Sequence, residues 1–155
     1  MTDSHATAHP LAPVASLLAD GKPQDALNLI ERNRLDCPAS RNARAVCLLR
    51  LRETQQAADI LKALLFPQGS ISPSSDAPAE LYANYAAALM LQGNPMGALG
   101  VLDEAPYPEH PAIQRTLAAL RRWRRSLGPG WRLLALVGLY PARVVTFEEP
   151  PGELM

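Results

Sequence analysis

The chain is predicted to fold as an all-α stack of about three helix hairpins, closed by a capping helix and followed by a short C-terminal extension. Three observations carry this. Hydrophobic residues make up 48% of the 155 residues but aromatics only 5%, so the core has to be built from Ala and Leu, which suits closely packed helices. The stretch 79–105, AELYANYAAALMLQGNPMGALGVLDEA, reads as two antiparallel helices around a tight turn. The segment 20–27, DGKPQDAL, parallels 92–99, QGNPMGAL, aligning Gly21 with Gly93, Pro23 with Pro95 and Ala26 with Ala98. A turn-and-restart signal that occurs twice implies a repeated unit.

Residues 1–10 are polar and aperiodic and read as a disordered leader; His5 and His9 lack companion ligands, so no metal role is expected. Residues 11–127 form the helical domain and 128–155 the extension. Leu11 to Ala19 and Gln24 to Asn33 make the first hairpin around Asp20-Gly21-Lys22-Pro23. In the second, Asp36 is expected to cap a helix that Pro38 opens, and Arg52-Glu53-Thr54 makes a turn without glycine. Its partner helix carries Ala57, Ile60, Leu61 and Leu64, while Arg41 and Arg44 interrupt the apolar pattern of the first. Ala26, Ala57 and Ala98 are 31 and 41 residues apart. The longer interval holds a Ser/Pro/Gly insertion at 67–75, read as a flexible loop and alternatively as a partner-contact loop.

The third hairpin has the clearest signals. Asp76 is expected to cap its first helix, whose stripe is Leu81, Tyr82, Tyr85, Ala86 and Leu89. Gly93 ends that helix, and Asn94-Pro95 caps and opens the next, with Ala98, Leu99, Leu102 and Ala105 facing inward. Small residues at Ala86 and Ala98 let the two backbones approach. The helix from Pro111 to Leu127 carries Ile113, Leu117, Leu120, Trp123 and Leu127 and is expected to shield the open end of the stack. After Gly128-Pro129-Gly130, the apolar run Trp131 to Tyr140 is expected to be helical and to dock on the array as core, the alternative being an exposed partner interface, with Val144 to Phe147 extended and Glu148 to Met155 a flexible acidic tail.

Residues 79–105 resemble the tetratricopeptide repeat, or TPR. With Ala79 as the first position, Tyr82 stands at four, Ala86 at eight, Gly93 at fifteen, Ala98 at twenty and Ala105 at twenty-seven. Tyr85 and Leu89 exchange the Leu and Tyr that the family prefers at seven and eleven, and Pro111 comes one place late. The resemblance implies that first helices of successive repeats line a concave groove for an extended peptide or helix. It places Glu80, Ala83, Asn84, Ala87, Met90 and Leu91 in that groove, with Asn84 where many TPR domains hold an Asn that bonds a bound peptide; the alternative is an exposed helix residue. Extrapolated by one repeat, it places Arg121, Arg124 and Arg125 there too. Four arginines around Trp123 offer fork-shaped donors to carboxylates or phosphates; a solvated face, or pairing with Glu148, Glu149 and Glu153, are the alternatives. Leu11 and Ala15 stand where chaperone-binding TPR domains carry a carboxylate clamp, so that partner class is not expected. By size and repeat type the chain also resembles small TPR chaperones of bacterial type III secretion.

Charge and chemistry narrow the function. Residues 1–110 carry 8 basic and 12 acidic groups (net −4), residues 111–143 carry 7 basic and none acidic, and 144–155 carry 3 acidic and none basic. No wide basic surface with stacking aromatics is implied, so nucleic acid is not an expected partner. The longest apolar run is too short to span a bilayer, and the N-terminus lacks signal-peptide features, so a cytoplasmic protein is expected. Cys37 and Cys47 are expected to be free thiols. No nucleophile–base pair, Gly-rich phosphate loop or metal-ligand spacing is present, so neither catalysis nor a cofactor is expected. The expected role is an adaptor or chaperone for another protein, with Asn84, Ala87, Met90, Arg121, Arg124, Arg125 and Trp131 as contact residues. The alternative is a structural subunit that meets its partner through 131–147. Oligomeric state is not encoded legibly.

Overall fold

The computed structural model describes residues 11–67, 70–135, 141, 145, 147 and 150–155. The N-terminal leader with His5 and His9, Gln68 and Gly69 of the insertion, the end of the apolar run, Val144, and the acidic pair Glu148 and Glu149 lie outside the described residues. Among the described residues there are eight α-helices and no strand: α1 (Ala12–Ala19), α2 (Pro23–Arg32), α3 (Pro38–Arg50), α4 (Thr54–Leu65), α5 (Ala79–Leu91), α6 (Pro95–Asp103), α7 (Pro111–Ser126) and α8 (Pro129–Ala135). Each helix from α1 to α6 packs on its successor, and α5 also packs on α3 and α7. Sequence neighbours thus pair as hairpins, and α5 also meets the odd-numbered helices on either side of it, α3 and α7.

The hairpin turns share one construction. At Gly21, Arg52 and Gly93 the backbone takes a positive φ of 71°, 68° and 77°. The amide of each donates three residues back, to Leu18, Leu49 and Met90, and the next amide reaches five back, to Leu17, Leu48 and Leu89. This pair of bonds satisfies carbonyls that a helix end would leave open. Five residues after each turn residue comes a fully buried alanine: Ala26, Ala57 and Ala98. The absence of Cβ branching there brings the second helix down onto the first. The middle hairpin, whose turn lacks glycine, follows the same path: Arg52 adopts the conformation that glycine takes in the other two. The α2–α3 connection uses the same device at Arg34, with φ 48° and bonds to Glu31 and Ile30.

Three local expectations are corrected. Asp36 does not cap α3; it pairs with Arg41 at 2.6 Å, and the cap is Cys37, whose sulfur accepts from the Ser40 amide at 3.4 Å. Asp76 does not cap α5, which starts after Pro78 with no side-chain cap. Leu133 and Leu134 of α8 are exposed by 69% and 40%, and Trp131 by 40%, so these three residues are not core. Asn94 does cap α6, accepting from the Gly97 amide at 2.9 Å. Arg41 and Arg44 are accommodated by pointing outward, where Arg44 meets Glu31 at 3.3 Å. Their helix instead buries Ala43, Ala45, Val46, Cys47, Leu48 and Leu49. The insertion is anchored at its end: the Ser74 amide donates to Leu65, and the Tyr82 hydroxyl to the Ser74 carbonyl at 2.9 Å. Among the described residues, no helix is long and apolar enough to cross a membrane.

Candidate functional site

The odd-numbered helices share one face, and that face is a groove. Ala15, Leu18 and Ala19 come from α1, Arg50 from α3, Ala83, Asn84 and Ala87 from α5, and Arg115, Thr116 and Arg122 from α7. Small side chains on α5 keep its centre low, and arginines from α3 and α7 form the rims.

The chain's own segment Pro150–Met155 lies in this groove. It was expected to be a flexible acidic tail; its described part is held instead by side chains that grip its backbone. The Glu153 amide donates to Asn84 Oδ1 at 2.8 Å, and Asn84 Nδ2 donates back to the Glu153 carbonyl at 2.7 Å. One carboxamide thus pairs with both backbone groups of one residue, as a neighbouring strand would. Asn42 Nδ2 donates to the same carbonyl at 3.1 Å, and Asn84 Nδ2 also reaches Asn42 Oδ1 at 2.9 Å. Asn42 and Asn84 are 0% and 1% exposed. Buried carboxamides are costly unless paired, and the tail backbone supplies the pairing. Arg50 adds donors from Nε to the Pro151 carbonyl and from Nη2 to the Gly152 carbonyl, both at 3.4 Å, while its Nη1 holds the Leu18 carbonyl at 2.7 Å.

Two side-chain features of the tail are matched to the groove. Gly152 has φ 94°, and a Cβ there would fall 3.0 Å from Val46 Cγ1, so the backbone lies directly on α3. The Glu153 carboxylate receives Arg115 Nη2 at 2.6 Å. Further back, the amide of buried Val145 donates to the Met90 carbonyl at 3.3 Å. The segment therefore passes from the C-terminal end of α5 toward its middle. Beside it a cavity of about 690 Å³ remains, bounded by α1, α7 and the tail.

Not all expected contact residues meet here. Asn84 and Ala87 line the groove. The Met90 side chain is fully buried, and its carbonyl accepts from the Val145 amide of the extension. Arg121 and Arg124 line a different hollow of about 240 Å³, with Pro95, Met96 and Leu99 of α6. Arg125 is exposed near the end of α7, and Trp131 lies on α8; neither lines the groove. The α7 arginines that line it are Arg115 and Arg122, so extrapolation by a fixed repeat length named the wrong helical face. The alternative of Asn84 as an exposed helix residue is excluded by its burial. Asn42 was missed: it follows Arg41 on a helix whose apolar pattern reads poorly, and a polar residue there gives no sign of facing inward.

No protein-family model, curated protein or solved structure is significantly similar to this chain.

Proposed function

We propose that this chain is a non-enzymatic adaptor or chaperone of TPR type, which holds an extended segment of another protein in the groove between α1, α3, α5 and α7. One observation carries the reading: Asn42 and Asn84, both buried, are spent on the backbone of a peptide segment that lies in the groove. Backbone-directed carboxamides suit a surface that accepts a strand-like ligand, because every residue of such a ligand offers the same N–H and C=O. The repeated turn and buried alanine support a helical-repeat scaffold, in which grooves of this kind are the usual binding surface. The small size and repeat type continue to suggest a cytoplasmic chaperone of the secretion class.

A second reading rests on a different observation. Trp131, Leu133 and Leu134 place apolar surface on α8 in water, which fits a structural subunit that meets its partner through the extension.

Affinity purification of the tagged full chain from its own cells, with mass spectrometry, tests both. Under the groove reading a partner co-purifies with the wild type and is lost with Asn84→Leu and Arg115→Glu. A partner that survives those changes but is lost with Trp131→Asp/Leu133→Asp selects the second reading. No specific partner in any sample sinks the adaptor role.

A further inference from the structure

Resting on the groove reading above, we infer that the tail segment Pro150–Met155 is a resident copy of the partner's motif. The partner's segment then places a glycine with positive φ against Val46 and an acidic residue against Arg115, and binds by displacing the tail.

The contacts divide into a general and a selective part. Asn42, Asn84 and Arg50 read only backbone groups of the tail, so they do not select among side chains. Selection comes from two places. Over Val46 the backbone comes so close that a Cβ would lie 3.0 Å from Val46 Cγ1 and push it aside by a few tenths of an ångström, and the positive φ there is one that residues with side chains rarely adopt. One residue on, Arg115 Nη2 reaches the Glu153 carboxylate, and an acidic side chain there is favoured over a neutral or basic one. The groove therefore reads a Gly-acidic pair.

The tail is also poorly placed to be a permanent part of the core. Its residues 151–155 are only half-buried, and its carboxylate is held by an arginine whose side chain is 59% exposed. The 690 Å³ cavity beside it is bounded by α1 and by Arg122 and Ala119 of α7. A longer partner segment fills that space as well as the tail's own positions and so gains contacts that the tail lacks. A tethered tail competes at an effective concentration on the order of millimolar. Occupancy by the tail thus shields the two asparagines and sets a threshold that only a better-fitting segment passes.

The test uses a fluorescent peptide of residues 147–155, FEEPPGELM, and anisotropy titration against full-length chains. In one, Gly152→Val/Glu153→Lys releases the tail without altering a groove residue; Glu153→Lys alone is the milder form. Circular dichroism and thermal melts establish that each is folded. The released chain is expected to bind the peptide at least tenfold more tightly than the wild type. Peptides with the same Gly→Val or Glu→Lys change should bind at least tenfold more weakly to it, and adding Asn84→Leu to the released chain should abolish binding. Equal affinity of wild-type and released chains overturns displacement. Equal binding of all three peptides overturns the Gly-acidic motif, while the groove reading stands or falls on the purification with Asn84→Leu. A wild-type dimer that dissociates on Gly152→Val also overturns the inference, since the tail's ligand site would then belong to a second copy.

Discussion

Asn84 makes three hydrogen bonds with one carboxamide, two of them to the tail backbone. Each such bond contributes about 0.5–1.5 kcal/mol net, whereas the exposed Arg115–Glu153 pair contributes about 1 kcal/mol at most. The asparagines therefore hold the tail, and the ion pair chooses its sequence. The two cysteines show how far environment separates like residues. Hydrogen bonding by Ser40, its hydroxyl first and its amide second, holds the exposed Cys37 thiol below its usual range. Burial pushes the Cys47 thiol up to about 11 from 9.0, only partly opposed by the charge of Arg50. Iodoacetamide at pH 8 should therefore label Cys37 at least about 100-fold faster, as peptide mapping would report, because the thiolate is the reacting form. The same shift has a stability consequence. Cys47 stays protonated in the folded chain while the unfolded thiol ionises near 9.0, so its contribution is complete below that pH and is lost as pH rises toward 11. Melts from pH 8 to 11 should show a steeper decline for the wild type than for Cys47→Ala.

At the scale of the element, the repeated helix ending is the most regular feature of the chain. Four helix endings use the same pair of backbone bonds and a residue with positive φ, and in two of them, at Arg34 and Arg52, that residue is an arginine. A residue with a side chain costs about 1–2 kcal/mol in this conformation, and glycine does not. Arg52→Gly should therefore stabilise the chain by about 1 kcal/mol, raising Tm by about 2–4 °C. Gly93→Arg should shift it by a similar amount downward. A melt of Arg52→Gly at or below the wild-type Tm would show that the Arg52 side chain contributes more than its backbone costs.

For the whole molecule, the tail is the element that completes the groove. It closes over two polar side chains that nothing else in the described structure satisfies in the same way, and it does so from a position remote in sequence: Asn42 and Glu153 are 111 residues apart. Gly152→Ala should lift the tail, because the added methyl meets Val46 and the positive φ disfavours it. The expected cost is about 1–3 kcal/mol, or roughly 3–9 °C in Tm. Protease cleavage after Glu153 should accelerate in the same variant. An unchanged Tm and cleavage rate would mean that the tail contributes nothing to the folded state.

How much of this was legible divides along physical lines. Helix positions, the Gly93-Asn94-Pro95 turn, the buried alanines Ala26, Ala57 and Ala98, and the all-helical class follow from residue types at short spacing. Capping, backbone freedom and apolar periodicity act within a few residues, so the chain determines them locally. Cys37 in place of Asp36 as the cap was already a matter of competition, because Arg41 takes the Asp36 carboxylate. The groove was legible only in part. Asn84 could be named from its place in the repeat, but which face of α7 turns inward depends on how that helix rotates against α5 and α6, and this put Arg115 rather than Arg121 beside the tail. The meeting of Asn42, Asn84 and Glu153 was decided by tertiary structure alone. It joins residues from two helices and the extension, and no local preference of any of them points to the others.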